Sequence, residues 1–216
     1  MNFNKNKKVE LHIHLDCSLS YDVVKKINPN ITKHQFFNEF IGVKCNSLKD
    51  YIKCADRAVE LMQTKKELEL VTSDLFMQLK EDNVIYAEIR FAPLLHLDKG
   101  LSSHEVVKII SQIAKKESSK TGIEAGLILC TLRHYSEQQS METVNLVNDF
   151  KGSNVIGFDL AADEAGYPIK NHIEAFKFAN DNNIHCTAHA GEALGPESIN
   201  ETLDHVSYTH LRAHET

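Results

Sequence analysis

The sequence predicts an α/β fold: a TIM (β/α)8 barrel that is incomplete, with about five of the eight β/α units present. Three observations predict it. Near-continuous apolar segments of strand length alternate with segments of helical periodicity, as in a parallel sheet covered on both faces. The glycine-rich phosphate turn of an open dinucleotide-binding sheet is missing. Polar residues recur at successive strand ends, where a barrel collects its active residues: His14 and Asp16, Glu88 and Arg90, Arg133 and His134, Asp159 and Asp163, His189 and Glu192. An open doubly wound sheet is the competing arrangement. A complete barrel takes eight strands and typically about 250 residues, so a chain of 216 falls short by roughly three units.

The elements follow in order. Val9 to Leu15 reads as the first strand. Ser47 to Met62 reads as a helix capped by Ser47, with Leu48, Tyr51, Ile52, Ala55 and Val59 on one side. That side either packs on the sheet or forms an apolar wall over a pocket mouth. Glu67 to Lys80 is a second helix, with Leu68, Val71, Leu75 and Leu79 at helical spacing. Val84 to Ala92 is a strand stopped by Pro93. Ser103 to Ser118 is helical, Ala125 to Leu132 a strand, Glu137 to Phe150 a helix and Val155 to Ala161 a short buried strand. Asn171 to Asn180 is helical, and Ile184 to Ala188 is the fifth strand.

Composition narrows the function classes. The chain is 42% hydrophobic and 25% charged, with 9 Gly and 4 Pro, which is ample material for a core. A net charge of -6 leaves no footprint for nucleic acid or an anionic membrane surface. Met1 to Lys8 is polar and basic, without the apolar core of a signal peptide, and no apolar run approaches membrane-spanning length. The five cysteines form no CxxC pair, which fits reduced thiols and a cytoplasmic location.

The chemistry concentrates in two segments. In His12-Ile13-His14-Leu15-Asp16, alternation along a strand places both imidazoles and the carboxylate on one face. His189-Ala190-Gly191-Glu192 follows the fifth strand with a third histidine, a glycine to turn the chain and an acid. Three histidines on Zn2+ leave a position for water, whose pKa the metal lowers from about 15.7 toward roughly 7. Beyond the Gly191 turn, Glu192 can face the same side and carry protons; the alternative is an exposed glutamate at a helix start. Glu88 and Arg90, two apart on one strand face, read as a buried structural ion pair bridging barrel strands rather than as catalytic groups. Arg133 and His134 are open to either reading. Of Asp159, Asp163 and Glu164, one is a candidate to orient a ligand; the alternative is a structural role or support of site side chains from behind.

On four ordered motifs the chain resembles the adenosine deaminase family. They are Glu10-Leu11-His12-Ile13-His14-Leu15-Asp16, Glu88-Ile89-Arg90-Phe91-Ala92-Pro93, Gly157-Phe158-Asp159-Leu160-Ala161-Ala162-Asp163-Glu164 and His189-Ala190-Gly191-Glu192, covering roughly residues 8 to 203. The resemblance implies a zinc-dependent hydrolase of purine salvage that converts adenosine and 2′-deoxyadenosine to the inosine product and ammonia. It implies His12, His14 and His189 as zinc ligands and Glu192 as the proton shuttle. It places His14 and Asp16 on the substrate, with Asp16 at the ribose, and the backbone of Ala162 at the purine. Leu48, Tyr51 and Ile52 belong to the helix over the pocket. Related adenine deaminases tend to carry Glu where Asp16 stands, so Asp fits a nucleoside better than a free base. Adenine or an adenine nucleotide remains the alternative substrate, and a non-catalytic zinc-binding fragment the alternative class.

Two positions depart from the family pattern: Cys17 and Ala162 stand where Gly is usual. Gly permits positive φ and close backbone approach, whereas Ala keeps the N–H and adds a methyl group. The family's later His-Gly strand and Asp-Asp strand end are not present. Residues 1–205 are accordingly expected to be a C-terminally truncated catalytic domain, and 206–216 a non-native tail that resembles a translated adapter. The chain as it stands is expected to be weakly active or inactive.

Overall fold

A computed structural model describes residues 6–41, 45, 47–206 and 209–212. Six strands form one sheet in the order β1-β2-β3-β4-β5-β6, every neighbouring pair parallel. They are β1 (Lys8–His14), β2 (Val84–Phe91), β3 (Glu124–Leu132), β4 (Val155–Ala161), β5 (Cys186–His189) and β6 (Thr209–Arg212). A doubly wound sheet reverses its strand order at a switch point. Here each strand lies beside the next in sequence, which is the winding of a barrel arc. The barrel expectation therefore holds over the doubly wound one.

Eight helices are described: α1 (Tyr21–Ile27), α2 (Lys33–Phe40), α3 (Leu48–Glu60), α4 (Lys65–Glu81), α5 (Ser103–Thr121), α6 (Glu137–Asp149), α7 (Ile173–Asp181) and α8 (Pro196–His205). Their starts are encoded locally. The side chains of Thr64, Ser102 and Ser136 each accept the backbone N–H three residues on, and Glu67, Glu105 and Gln139 reach back in reciprocal capping boxes. Gly122, at φ +76, ends α5 in the left-handed conformation that spares a Cβ clash.

The two faces of the sheet divide the core. Ile89 and Phe91 of β2, Leu127 and Leu129 of β3, Phe158 and Leu160 of β4, and Cys186 and Ala188 of β5 bury one face against the helices, among them Leu68, Val71, Leu75 and Phe76 of α4. The alternate residues line the inner face, where a small second cluster of Ala92, Cys130, Leu132, Tyr135 and Ala161 sits beside the site. No helix among the described residues is long and apolar enough to cross a membrane.

Three differences from the sequence expectations stand out. First, α1, α2 and α8 are additional helices, and β6 is an additional strand. Of the expected tail 206–216, only 206 and 209–212 are described; the rest lies outside the described residues. Second, β1 ends at His14, and Leu15–Cys17 is one turn of 3-10 helix. Asp16 therefore does not share a face with His12 and His14 by strand alternation. Third, Glu88 does not pair with Arg90. It accepts the Tyr86 hydroxyl at 3.2 Å, while Arg90 bridges strands, with Nε 3.6 Å from Asp159 Oδ2 and Nη1 donating to Leu11 O at 2.6 Å.

Candidate active site

The inner face of β1 puts His12 and His14 side by side, and β5 brings His189 to meet them across the sheet. His14 Nε2 lies 3.3 Å from His12 Nε2 and 3.1 Å from His189 Nε2. The three rings offer donor atoms that all lie within 4.8 Å of one another. Convergent imidazole nitrogens on a cavity floor are a donor set that suits Zn2+. They suit it only as neutral rings, because a proton and a metal compete for the same lone pair. Burial, followed by the nearby His189, lowers the His14 pKa to about 3, so that ring is neutral at any physiological pH.

His189 is held from behind. Its Nδ1 lies 3.0 Å from Asp159 Oδ2 and 3.0 Å from the Leu160 carbonyl. Burial alone would lower the pKa of this imidazole, but the Asp159 carboxylate outweighs it and raises it. Asp159 is itself fixed by the Thr187 hydroxyl at 2.5 Å and the Cys130 thiol at 3.4 Å. Burial disfavours its charge, yet His189 and Arg90 hold it well below the ordinary carboxylate range. A carboxylate on the far nitrogen fixes the tautomer and turns Nε2 toward the cavity. Of the three acidic residues, Asp159 therefore stands behind the His189 ring rather than on the cavity.

The histidines open into a cavity of about 390 Å3, also lined by Asp16, Leu48, Tyr51, Ile52, Ala162 and Glu192. Every site residue expected from the sequence therefore lines this one space. Asp16 arrives by the 3-10 turn. It is buried, accepts the Ala92 N–H at 3.3 Å, and has Oδ1 3.9 Å from His14 Nδ1. Burial raises its pKa to about 6. Helix α3 presents Leu48, Tyr51, Ile52, Ala55, Asp56 and Val59 to the cavity along one face. Cys17 lines the same mouth.

Two backbone features shape the site. Ala162, just past β4, has φ +81, in the region that favours glycine. Gly191 has φ +80, and a Cβ there would fall 2.6 Å from Ile199 Cδ1. This turn swings Glu192 onto the cavity, four residues before α8 begins at Pro196, so it is not a helix-start glutamate.

The sequence did not assign Arg133 and Glu164 their part. Both are buried, with Arg133 Nη2 3.7 Å from Glu164 Oε1. Arg133 donates to His189 O at 2.8 Å and to Tyr167 O at 3.2 Å, and Glu164 accepts from the 191–194 turn. Their partners lie 27 or more positions away, so no local pattern signals the pairing, although two charges on apolar strand ends were visible.

The adenosine deaminase family model matches residues 7–213. An adenosine deaminase of Clostridium acetobutylicum is 38% identical over 204 residues, covering 91% of this chain and 61% of that protein. The chain spans about three-fifths of the length of the curated relatives it matches. Among solved structures, Arabidopsis ADAL complexed with GMP superposes with a TM-score of 0.83 at 23% identity, covering 97% of this chain and 65% of that one. An adenine deaminase of Arthrobacter aurescens gives 0.81 at 20% identity, covering 94% and 63%. The matched span holds the histidine cluster, the Glu192 turn and the strands that carry them, and the chain belongs to the adenosine deaminase family.

Proposed function

We propose that this site serves the hydrolytic deamination of adenosine, and of 2′-deoxyadenosine, to the inosine product and ammonia, with Zn2+ as the metal. One observation carries the reading: three histidine Nε2 atoms converge on the floor of a cavity whose wall also bears Glu192. His12, His14 and His189 would hold the metal. Zn2+ in that position supplies a Lewis acid that makes water a nucleophile near neutral pH. Glu192 donates a proton to the purine ring as C6 is attacked, which neutralises the charge developing on the ring. Asp16 accepts a ribose hydroxyl, and the Ala162 N–H donates to the purine edge. The apolar face of α3 covers the ligand and keeps bulk water out, which strengthens every polar contact beneath it.

The lining favours an uncharged nucleoside over a nucleotide. Among the described lining residues, Asp16, Asp56 and Glu192 are acidic and none is Lys or Arg. Among the described lining residues a phosphate monoester would meet these carboxylates and no lysine or arginine. The test is the Zn2+-loaded chain with adenosine, adenine and AMP, followed by calorimetric affinity and by product formation. Adenosine is expected to bind most tightly and to turn over fastest; a preference for AMP or adenine overturns the substrate. Glu192→Gln is expected to lower turnover about 10²–10⁴-fold with metal content unchanged. Surviving turnover would remove Glu192 from the proton's path.

A further inference from the structure

We propose that Glu164 is the positioning residue of this site: it anchors the 191–194 turn and thereby fixes where the Glu192 carboxylate stands. The consequence for turnover rests on the proton-carrying role given to Glu192 above; the anchoring does not. Glu164 lies three residues past β4 and is 1% exposed. Its Oε1 receives the Gly191 N–H at 2.7 Å and the Ser198 hydroxyl, and its Oε2 receives the N–H groups of Ala193 at 2.6 Å and Leu194 at 3.2 Å. The amides immediately before and after Glu192 thus end on a single carboxylate.

The anchor is charged and reaches both sides of the turn. Arg133, 3.7 Å from Glu164, donates to the carbonyl of His189 at 2.8 Å. One buried ion pair therefore grips the backbone of a histidine on the metal side and the backbone that carries Glu192. Charge-assisted bonds to backbone N–H groups are about twice as strong as neutral ones. Gly191 carries no side chain and holds a positive φ, and the turn belongs to no helix or strand. Burial disfavours the Glu164 charge, but the bonds from Ser198 and the three amides outweigh it and hold the carboxyl below its ordinary range.

A purely structural role would cost stability alone. A positioning role costs turnover, because a misplacement of about 1 Å in a reacting group lowers the rate by about 100-fold. The experiment compares the full chain with Glu164→Gln and Glu164→Asp, each Zn2+-loaded, by amide hydrogen exchange, metal stoichiometry and adenosine kinetics. Gln turns an amide NH2 toward N–H donors. Asp keeps the charge opposite Arg133 but withdraws it by one methylene, so it remains informative if the Gln variant does not fold.

In both variants the amides of residues 191, 193 and 194 are expected to exchange at least about tenfold faster, with β2 to β4 unchanged. Metal content is expected to hold, kcat to fall about 100-fold and KM to stay within about threefold, the larger loss in Gln. Unchanged exchange at these amides in a folded variant, or faster exchange with unchanged kcat, overturns the proposal. If the unaltered chain shows no adenosine turnover while exchange responds as stated, the anchoring stands, and the kinetic arm is read in a protein extended to the length of the curated relatives, where absent turnover overturns the proposed reaction.

Discussion

The ends of β1 and β5 deliver histidines to the same point but hold them by different means. On β1, two histidines come from one strand, and the two-residue period alone sets them side by side. On β5, a single histidine is placed by distant charges: Asp159 behind its ring, Arg133 on its carbonyl, and Glu164 on the turn beyond. The difference teaches that one half of the site is local chain geometry and the other half is a buried electrostatic network. The second depends on β3 and β4 being in place.

Three substitutions break or sharpen that contrast. The largest effect is expected from His14→Ala, since His14 Nε2 lies 3.3 Å and 3.1 Å from the Nε2 atoms of His12 and His189. Chelator competition is expected to show stoichiometric Zn2+ binding lost; full retention would place the metal elsewhere. Next is Asp159→Asn, which leaves all three rings but removes the carboxylate from His189 Nδ1. Metal affinity is expected to fall about 10–100-fold. An unchanged affinity would erase the distinction between the two strand ends.

The smallest effect is expected at Ala162→Gly. A left-handed residue with a Cβ costs about 1–2 kcal/mol, and glycine returns about 0.5–1 kcal/mol of that as chain entropy. The net gain of about 0.5–1 kcal/mol is expected as a thermal midpoint a few degrees higher. A lower midpoint would show that the φ of +81 at Ala162 carries no strain.

Much of the scaffold was legible in the sequence because its signals are local. The strand expected over Val155 to Ala161 forms with those bounds, and the helix expected from Ser47 begins there because Ser47 accepts the Asp50 N–H at 3.2 Å. Helix α2 carried a readable signal of the same kind, the Thr32–Gln35 capping box. Asp16 shows where local reading fails. Alternation put it on the histidine face for the wrong reason, because the strand stops at His14 and a 3-10 turn brings Asp16 inward instead.

By itself the sequence determined the alternating α/β pattern, the His-x-His pair, the third histidine and the acid after a glycine, since periodicity and residue chemistry act over a few positions. Tertiary structure alone decided that β5 lies where His189 meets β1, that Arg90 and His189 share Asp159, and that Glu164 closes on residues 27 to 34 positions away. Buried charges cannot stand unpaired. Their partners are chosen by which strand ends the winding of the sheet brings together, and no window of sequence contains that information.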